Sequence, residues 1–101
     1  MITILAEITL LDEKIEEFNE AFILLKDSSL LEDGCESFGL VERFETCLEF
    51  QALPKNNIVY IHERWRDAAA FNTHITTEHF ERFNHQMIGI IGESSMQAFE
   101  M

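Results

Sequence analysis

Two segments, Ile2–Leu10 and Ile58–Trp65, constrain the fold of this chain more than any other feature of its sequence. Both are rich in β-branched and apolar residues, and both read with a repeat of two, which places alternate side chains on opposite faces of an extended backbone. We therefore predict two β-strands, each with one face turned to the core. In the later strand that face carries Val59, Ile61, Glu63 and Trp65.

The apolar repeat changes to three and four residues after the first strand, which indicates an amphipathic helix. Asp12 occupies the position expected of an N-cap, and Gly34 suits the left-handed conformation that often follows a helix. The helix is therefore predicted to end near Leu31. Its apolar stripe consists of Leu11, Ile15, Phe18, Phe22 and Leu25.

Two further helices are predicted after the second of these strands. Asp67 can cap a short one, and Thr76-Thr77-Glu78 begins another, which Gly92 would end. One side of the latter carries Phe80, Phe83, Met87 and either Ile90 or Ile91.

The remaining segments complete a sheet. A strand from Glu36 to about Phe44 precedes the turn signal Pro54-Lys55-Asn56-Asn57, and residues 94–101 form a last strand. Residues 45–51 could continue the former strand or begin the next. The order β-α-β-β-α-β is that of a ferredoxin-like α+β fold with an antiparallel sheet. A chain of 101 residues provides one domain, residues 1–101.

One layer of helices leaves the other face of such a sheet uncovered. A second copy stacked sheet to sheet about a two-fold axis would bury that face, so we predict a homodimer. The side chains assigned to the uncovered face are too apolar to be left in water: Phe38, Leu40, Phe44, Ile58 and Tyr60.

Charge and composition exclude several classes of partner. The formal net charge is -12, from 19 acidic and 7 basic residues, so we expect neither nucleic acid nor a membrane surface as a partner. No apolar run approaches the ~20 residues of a membrane span, and the first residues lack the basic region of a signal peptide. Cys35 and Cys47 do not form a disulfide framework. A cytoplasmic location is the expectation.

Three blocks of sequence resemble the antibiotic biosynthesis monooxygenase (ABM) family, in particular its small bacterial quinol monooxygenase-like members. The first block is Ile4-Leu5-Ala6-Glu7-Ile8, and the second is Glu32-Asp33-Gly34-Cys35 followed by Phe38. With the lengths between them, the similarity covers nearly the whole chain. The third block is Glu63-Arg64-Trp65 followed by Phe71, His74, Thr77, His79 and Phe80.

The resemblance implies a dimeric α+β barrel made of two ferredoxin-like subunits. Several members of the family oxidise or rearrange small aromatic or quinol-like molecules without a metal or an organic cofactor, so the resemblance implies no cofactor. The haem-degrading branch uses an asparagine, a tryptophan and a histidine, where this sequence has Ile8, His74 and Asn84. Haem degradation is therefore not expected.

A monooxygenase without a cofactor needs a dry pocket for a flat ring and one well-placed proton acceptor. Neutral imidazole suits that task near pH 7, so His74 and His79 are the candidate catalytic residues. Glu63 on an apolar face must be paired, with Arg82 or Arg43 as candidates, or must have a raised pKa. Contacts to the substrate are expected from Trp65, Glu63, Phe71, Phe80 and Phe83.

A metal site is not predicted, because the spacings between His74, His79 and His85 are five and six residues rather than the four that pairs ligands on one helix face.

The leading hypothesis is a cofactor-independent monooxygenase that oxidises a small quinol or polyphenol with O₂.

Two alternatives stay open. One is an isomerase of a small, phosphorylated or hydroxylated carbonyl compound, which would require cationic contacts from Arg43, Arg64 or Arg82 for a phosphate group. The other is a non-catalytic ligand-binding or dimerisation domain, in which the histidines are bonded into a filled interior.

Overall fold

The computed structural model describes residues 1–101 and contains four strands and three helices. Both strands with the strongest sequence signal have the predicted bounds. The elements are β1 (Ile2–Leu10), α1 (Ile15–Leu30), β2 (Cys35–Val41), β3 (Ile58–Trp65), α2 (Ala68–His74), α3 (Glu78–Gln86) and β4 (Ile91–Glu100).

The four strands form one antiparallel sheet in the order β2-β3-β1-β4. Ile4 of β1 lies opposite Glu63 of β3 and Ala98 of β4, which puts these three side chains on the same face. The element order with its short α2 confirms the predicted ferredoxin-like α+β fold.

The core lies between the sheet and α1. Ile4, Ile8 and Ile61 on the sheet pack against Phe18 and Phe22 on the helix, and all five are buried. Ring centroids of Phe18 and Phe22 are 5.6 Å apart, and Phe83 of α3 meets both rings edge-on. Each buried side chain of this kind stabilises the fold by about 1.5–3 kcal/mol.

One of the two predicted helix N-caps, Asp67, is confirmed, and the structure adds a third at Thr77. The side chain of Asp67 accepts a hydrogen bond from the Ala70 amide at 2.9 Å, and Thr77 caps α3 in the same way through the Phe80 amide. The prediction for Asp12 is wrong, because α1 begins at Ile15. The Asp12 carboxylate instead accepts a hydrogen bond from Asn57 at 3.2 Å, across the loop before β3.

The second half of the chain differs from prediction at one boundary. Gly92 does not end α3; the helix ends at Gln86, and Gly89 takes the left-handed conformation with φ 83°. β4 therefore begins at Ile91, three residues earlier than predicted, and includes Gly92.

The assignment of Phe38 and Leu40 to the uncovered sheet face is wrong. Phe38 pairs with Glu63 and Leu40 with Ile61, so both side chains share the face that carries the helices, and the Phe38 ring lies 5.8 Å from that of Phe22. Phe44 lies beyond the end of β2, in the irregular segment 42–57.

The uncovered face is nevertheless partly apolar. Leu5, Tyr60, Val41 and Phe99 have the opposite alternation to the core residues and are half-buried or exposed. Among the helices, none combines the length and apolar character needed to cross a membrane.

Candidate functional site

A cavity of about 280 Å³ lies between the helical face of the sheet and helices α2 and α3. Twelve of its 17 lining residues are hydrophobic, so the interior is largely apolar. Ser94 and Met96 of β4 form one side, and Met96 is 50% exposed. Its polar atoms come from few residues: Glu63, His74, Asn84, Ser94 and Ser95.

His74, at the end of α2, is the only histidine in the cavity wall. Its side chain is 1% exposed and is held by aromatic neighbours, with ring centroids 4.7 Å from Trp65 and 5.0 Å from Phe80. Its Nδ1 atom lies 2.6 Å from the Oε2 atom of Glu32. Its Nε2 atom is buried and has no hydrogen-bond partner.

This arrangement determines the tautomer of the imidazole. A carboxylate only accepts hydrogen bonds, so Nδ1 of His74 carries the proton that it donates to Glu32, and Nε2 keeps a free lone pair. Burial lowers the pKa of His74, although the Glu32 carboxylate opposes that shift. His74 is thus a neutral base whose reactive nitrogen is unpaired.

Glu32 connects both candidate histidines. It lies just beyond α1, where its amide donates to the Ser29 carbonyl at 3.0 Å, and its Oε2 atom is 2.8 Å from Nε2 of His79. Glu32 was not among the predicted functional residues. The only feature of the sequence that pointed to Glu32 was its place in the Glu32-Asp33-Gly34-Cys35 block, which resembles the family.

Glu63 forms a second buried pair, with Trp65 on the same strand. The Trp65 indole N–H donates to Oε1 of Glu63 at 2.9 Å, and Glu63 is 8% exposed. Burial raises the pKa of Glu63 to about 7; the indole hydrogen bond opposes this shift, and the Glu32 carboxylate adds to it. Its raised pKa agrees with the expectation, but neither predicted arginine pairs with it, since Arg43 bonds to Glu45 and Arg82 to Glu78.

The structure divides the predicted site residues into two groups. Trp65 and His79 lie behind the cavity wall, where Trp65 is fully buried and His79 is held by Glu32. Asn84 is a lining residue to which no role was assigned. The cavity itself is lined by Glu63, Phe71, His74, Phe80 and Phe83 among the predicted residues.

Cys35 lies close enough to Glu32 and Glu63 for their charges to act on its thiol. Burial raises the pKa of its thiol to about 11, and the carboxylates of Glu32, Glu63 and Glu36 reinforce that shift. The thiol is therefore protonated at neutral pH.

Comparison with known families identifies the chain. The sequence model described as "Antibiotic biosynthesis monooxygenase" (ABM) matches residues 1–86, most of the chain and all of the cavity wall except its β4 side. The chain belongs to this family. Among curated proteins, none matches the sequence.

Solved structures show the same fold along the whole chain. A protein from Pseudomonas aeruginosa is 26% identical with a TM-score of 0.78, covering 99% of this chain and 92% of its own. A Nitrosomonas europaea protein that carries the family name is 16% identical with a TM-score of 0.82, covering 100% and 98%. A conserved protein from Methanosarcina mazei is 23% identical with a TM-score of 0.79, covering 97% and 89%.

Proposed function

We propose that this protein is a cofactor-independent monooxygenase that oxidises a small quinol or polyphenolic ring with O₂. One observation supports this most directly. His74 combines an Nδ1 atom fixed by Glu32 with an unpartnered, buried Nε2 atom, and it is the imidazole in the wall of an apolar cavity. A carboxylate that orients an imidazole in this way is a common arrangement for general-base catalysis.

In the proposed reaction, Nε2 of His74 accepts the proton of a ring hydroxyl, and the Glu32 carboxylate stabilises the imidazolium that results. The electron-rich phenolate then reduces O₂. The ring supplies four electrons; one oxygen atom enters it, giving a hydroxyquinone, and the other leaves as water. The substrate is the only reductant, so the balance requires no further redox partner.

The cavity suits one or two fused rings. An apolar cavity of about 150 Å³ is enough to bind benzene, and this one measures about 280 Å³. Phe71, Phe80 and Phe83 provide flat or edge-on contacts for such a ring. The carboxyl of Glu63, with its raised pKa, can donate or accept a hydrogen bond to a second ring oxygen.

The residues that line the cavity do not favour a phosphorylated substrate. Neither lysine nor arginine contributes to the cavity wall, whereas a phosphate group requires cationic contacts. The hypothesis of an isomerase that acts on a phosphorylated carbonyl compound is therefore weaker than the monooxygenase hypothesis. A purely structural role for His74 is the alternative that the experiment below must exclude.

We further propose that the protein is a homodimer formed by the uncovered sheet faces. Leu5, Val41 and Phe99 leave between 41% and 48% of their surface exposed on that face, and contact with a second sheet would bury these apolar side chains.

The test is oxygen uptake by metal-free protein on a panel of naphthohydroquinones, with product analysis by mass spectrometry. We expect wild-type turnover above the uncatalysed rate, incorporation of one ¹⁸O atom per product, and a loss of about 10²–10⁴-fold in kcat for His74→Ala. His85→Ala, at the exposed end of α3, is the matched control. Wild-type rates in a folded His74→Ala variant would show that His74 is structural, and the proposal would then fail.

A further inference from the structure

Glu32, His74 and His79 bring three metal-ligand atoms together. Oε2 of Glu32, Nδ1 of His74 and Nε2 of His79 all lie within 4.8 Å of one another. The spacing of five residues between the histidines does not prevent this, because His74 ends α2 and His79 lies in the first turn of α3. We infer that these three residues form a binding site for a divalent transition metal, of which Zn²⁺ is the best match.

The donor set and its dimensions fit such an ion. Two imidazoles and one carboxylate are the protein ligands of open zinc sites, with the remaining position left to water. Ligand atoms about 2.1 Å from a tetrahedral zinc are roughly 3.4 Å apart. The two contacts to Glu32, now 2.6 and 2.8 Å long, need to lengthen by less than an ångström to admit the ion.

The surroundings carry a favourable charge. Glu32 lines a surface depression that shares no residue with the cavity, together with Asp33, Asp67 and Arg66. Arg66 does not leave a free positive charge there, since it bonds to Asp33 at 3.1 Å and to Asp67 at 3.5 Å. The formal net charge of -12 also attracts cations to the protein.

Metal binding changes what His74 presents to the cavity. A metal on Nδ1 displaces the proton that this nitrogen donates to Glu32, so the neutral imidazole carries its proton on Nε2 instead. The metal-bound form then carries a hydrogen-bond donor at the buried Nε2 atom rather than a base. The resulting inhibition of turnover rests on the proposed function, whereas metal binding itself does not.

The experiment uses full-length protein without an affinity tag, titrated with Zn²⁺ by calorimetry and with Co²⁺ by visible absorption. We expect one ion per chain, a rise in Tm with added Zn²⁺, and a Co²⁺ spectrum without the thiolate charge-transfer band that cysteine ligands produce. Glu32→Gln and His79→Ala should each weaken binding by at least about tenfold, because even outer-shell partners contribute about 10–100-fold to affinity.

His85→Ala and Cys47→Ser are the matched controls, since both side chains lie outside the cluster, and each should keep the wild-type affinity within about twofold. Unchanged affinity in folded Glu32→Gln, a thiolate band, or no binding of either ion would overturn the inference. Because binding is measured without substrate, a metal site can be established or refuted whether or not the protein consumes oxygen.

Discussion

The two nitrogen atoms of His74 have different surroundings, and this difference is the basis of both proposals. Nδ1 is tied to a carboxylate at 2.6 Å, while Nε2 is enclosed without a partner. Burial of an unsatisfied polar atom costs about 1–3 kcal/mol. A ligand that supplies a hydroxyl group to Nε2 would recover part of that free energy.

The imidazoles could be predicted from the sequence, but their shared carboxylate could not. Glu32 is separated from His74 by 42 residues. The two residues meet because the hairpin of β2 and β3 leads the chain back, so that α2 lies next to the end of α1. No periodicity or spacing encodes that proximity. Trp65 does not line the cavity, and its indole N–H donates to Glu63, two residues away on the same face of β3.

Glu63 is expected to make the stability of the fold depend on pH. Its pKa is raised from 4.5 to about 7 in the fold, so the unfolded chain loses its proton at lower pH, and the free energy of unfolding falls as pH rises through this interval. The loss is complete above about pH 7 and amounts to about 3 kcal/mol. Glu63→Gln removes it while keeping an oxygen for the Trp65 indole.

Urea unfolding of both proteins at several pH values between 5 and 8 measures this effect. Taking the difference between variant and wild type cancels the contribution of every other titrating group, including His74. We expect Glu63→Gln to gain stability over the wild type as pH rises. Parallel stability profiles would contradict the raised pKa.

Among the elements, the junction between α1 and β2 is expected to tolerate no side chain at Gly34. This residue has φ 88°, and a Cβ atom there would lie 2.6 Å from the Cβ atom of Ala70 in α2. Gly34→Ala should therefore lower the free energy of unfolding by about 2–4 kcal/mol, from backbone strain together with displacement of α2.

Gly89 offers a matched control for that prediction. Its φ is 83°, but a Cβ atom would meet nothing within 4 Å. Gly89→Ala should lose only the backbone contribution, about 1 kcal/mol. Equal losses in chemical denaturation of the two variants would show that the contact with Ala70 has no effect.

The sequence predicted elements well where local chemistry decides their limits. β1 and β3 follow the two-residue repeat, and Asp67 and Thr77 cap the helices that they precede. Prediction failed where distant partners decide. Asp12 does not cap α1, because its carboxylate accepts a hydrogen bond from Asn57, 45 residues away. Which side chains of β2 point to the helices is decided by its pairing with β3, and the seven residues of β2 alone do not show this.

For the whole molecule, the proposed homodimer predicts a mass in solution of twice the chain mass of 11.8 kDa. Leu5→Glu places a charge in the centre of the uncovered sheet face and should give monomers at concentrations where the wild type is dimeric. Ile23→Glu, on the exposed side of α1, should not change the oligomeric state. Light scattering coupled to gel filtration distinguishes these outcomes, and a monomeric wild type would refute the dimer.

Burial and acidic surroundings together affect how readily Cys35 can be oxidised. Oxidants and alkylating reagents attack the thiolate, and with a pKa of about 11 this sulfur is almost entirely in the unreactive form at neutral pH. Two carboxylates involved in the proposed chemistry, those of Glu32 and Glu63, help to keep it so. In an enzyme that uses O₂, as proposed, the low fraction of thiolate would slow the oxidation of Cys35 to sulfenic acid over many turnovers.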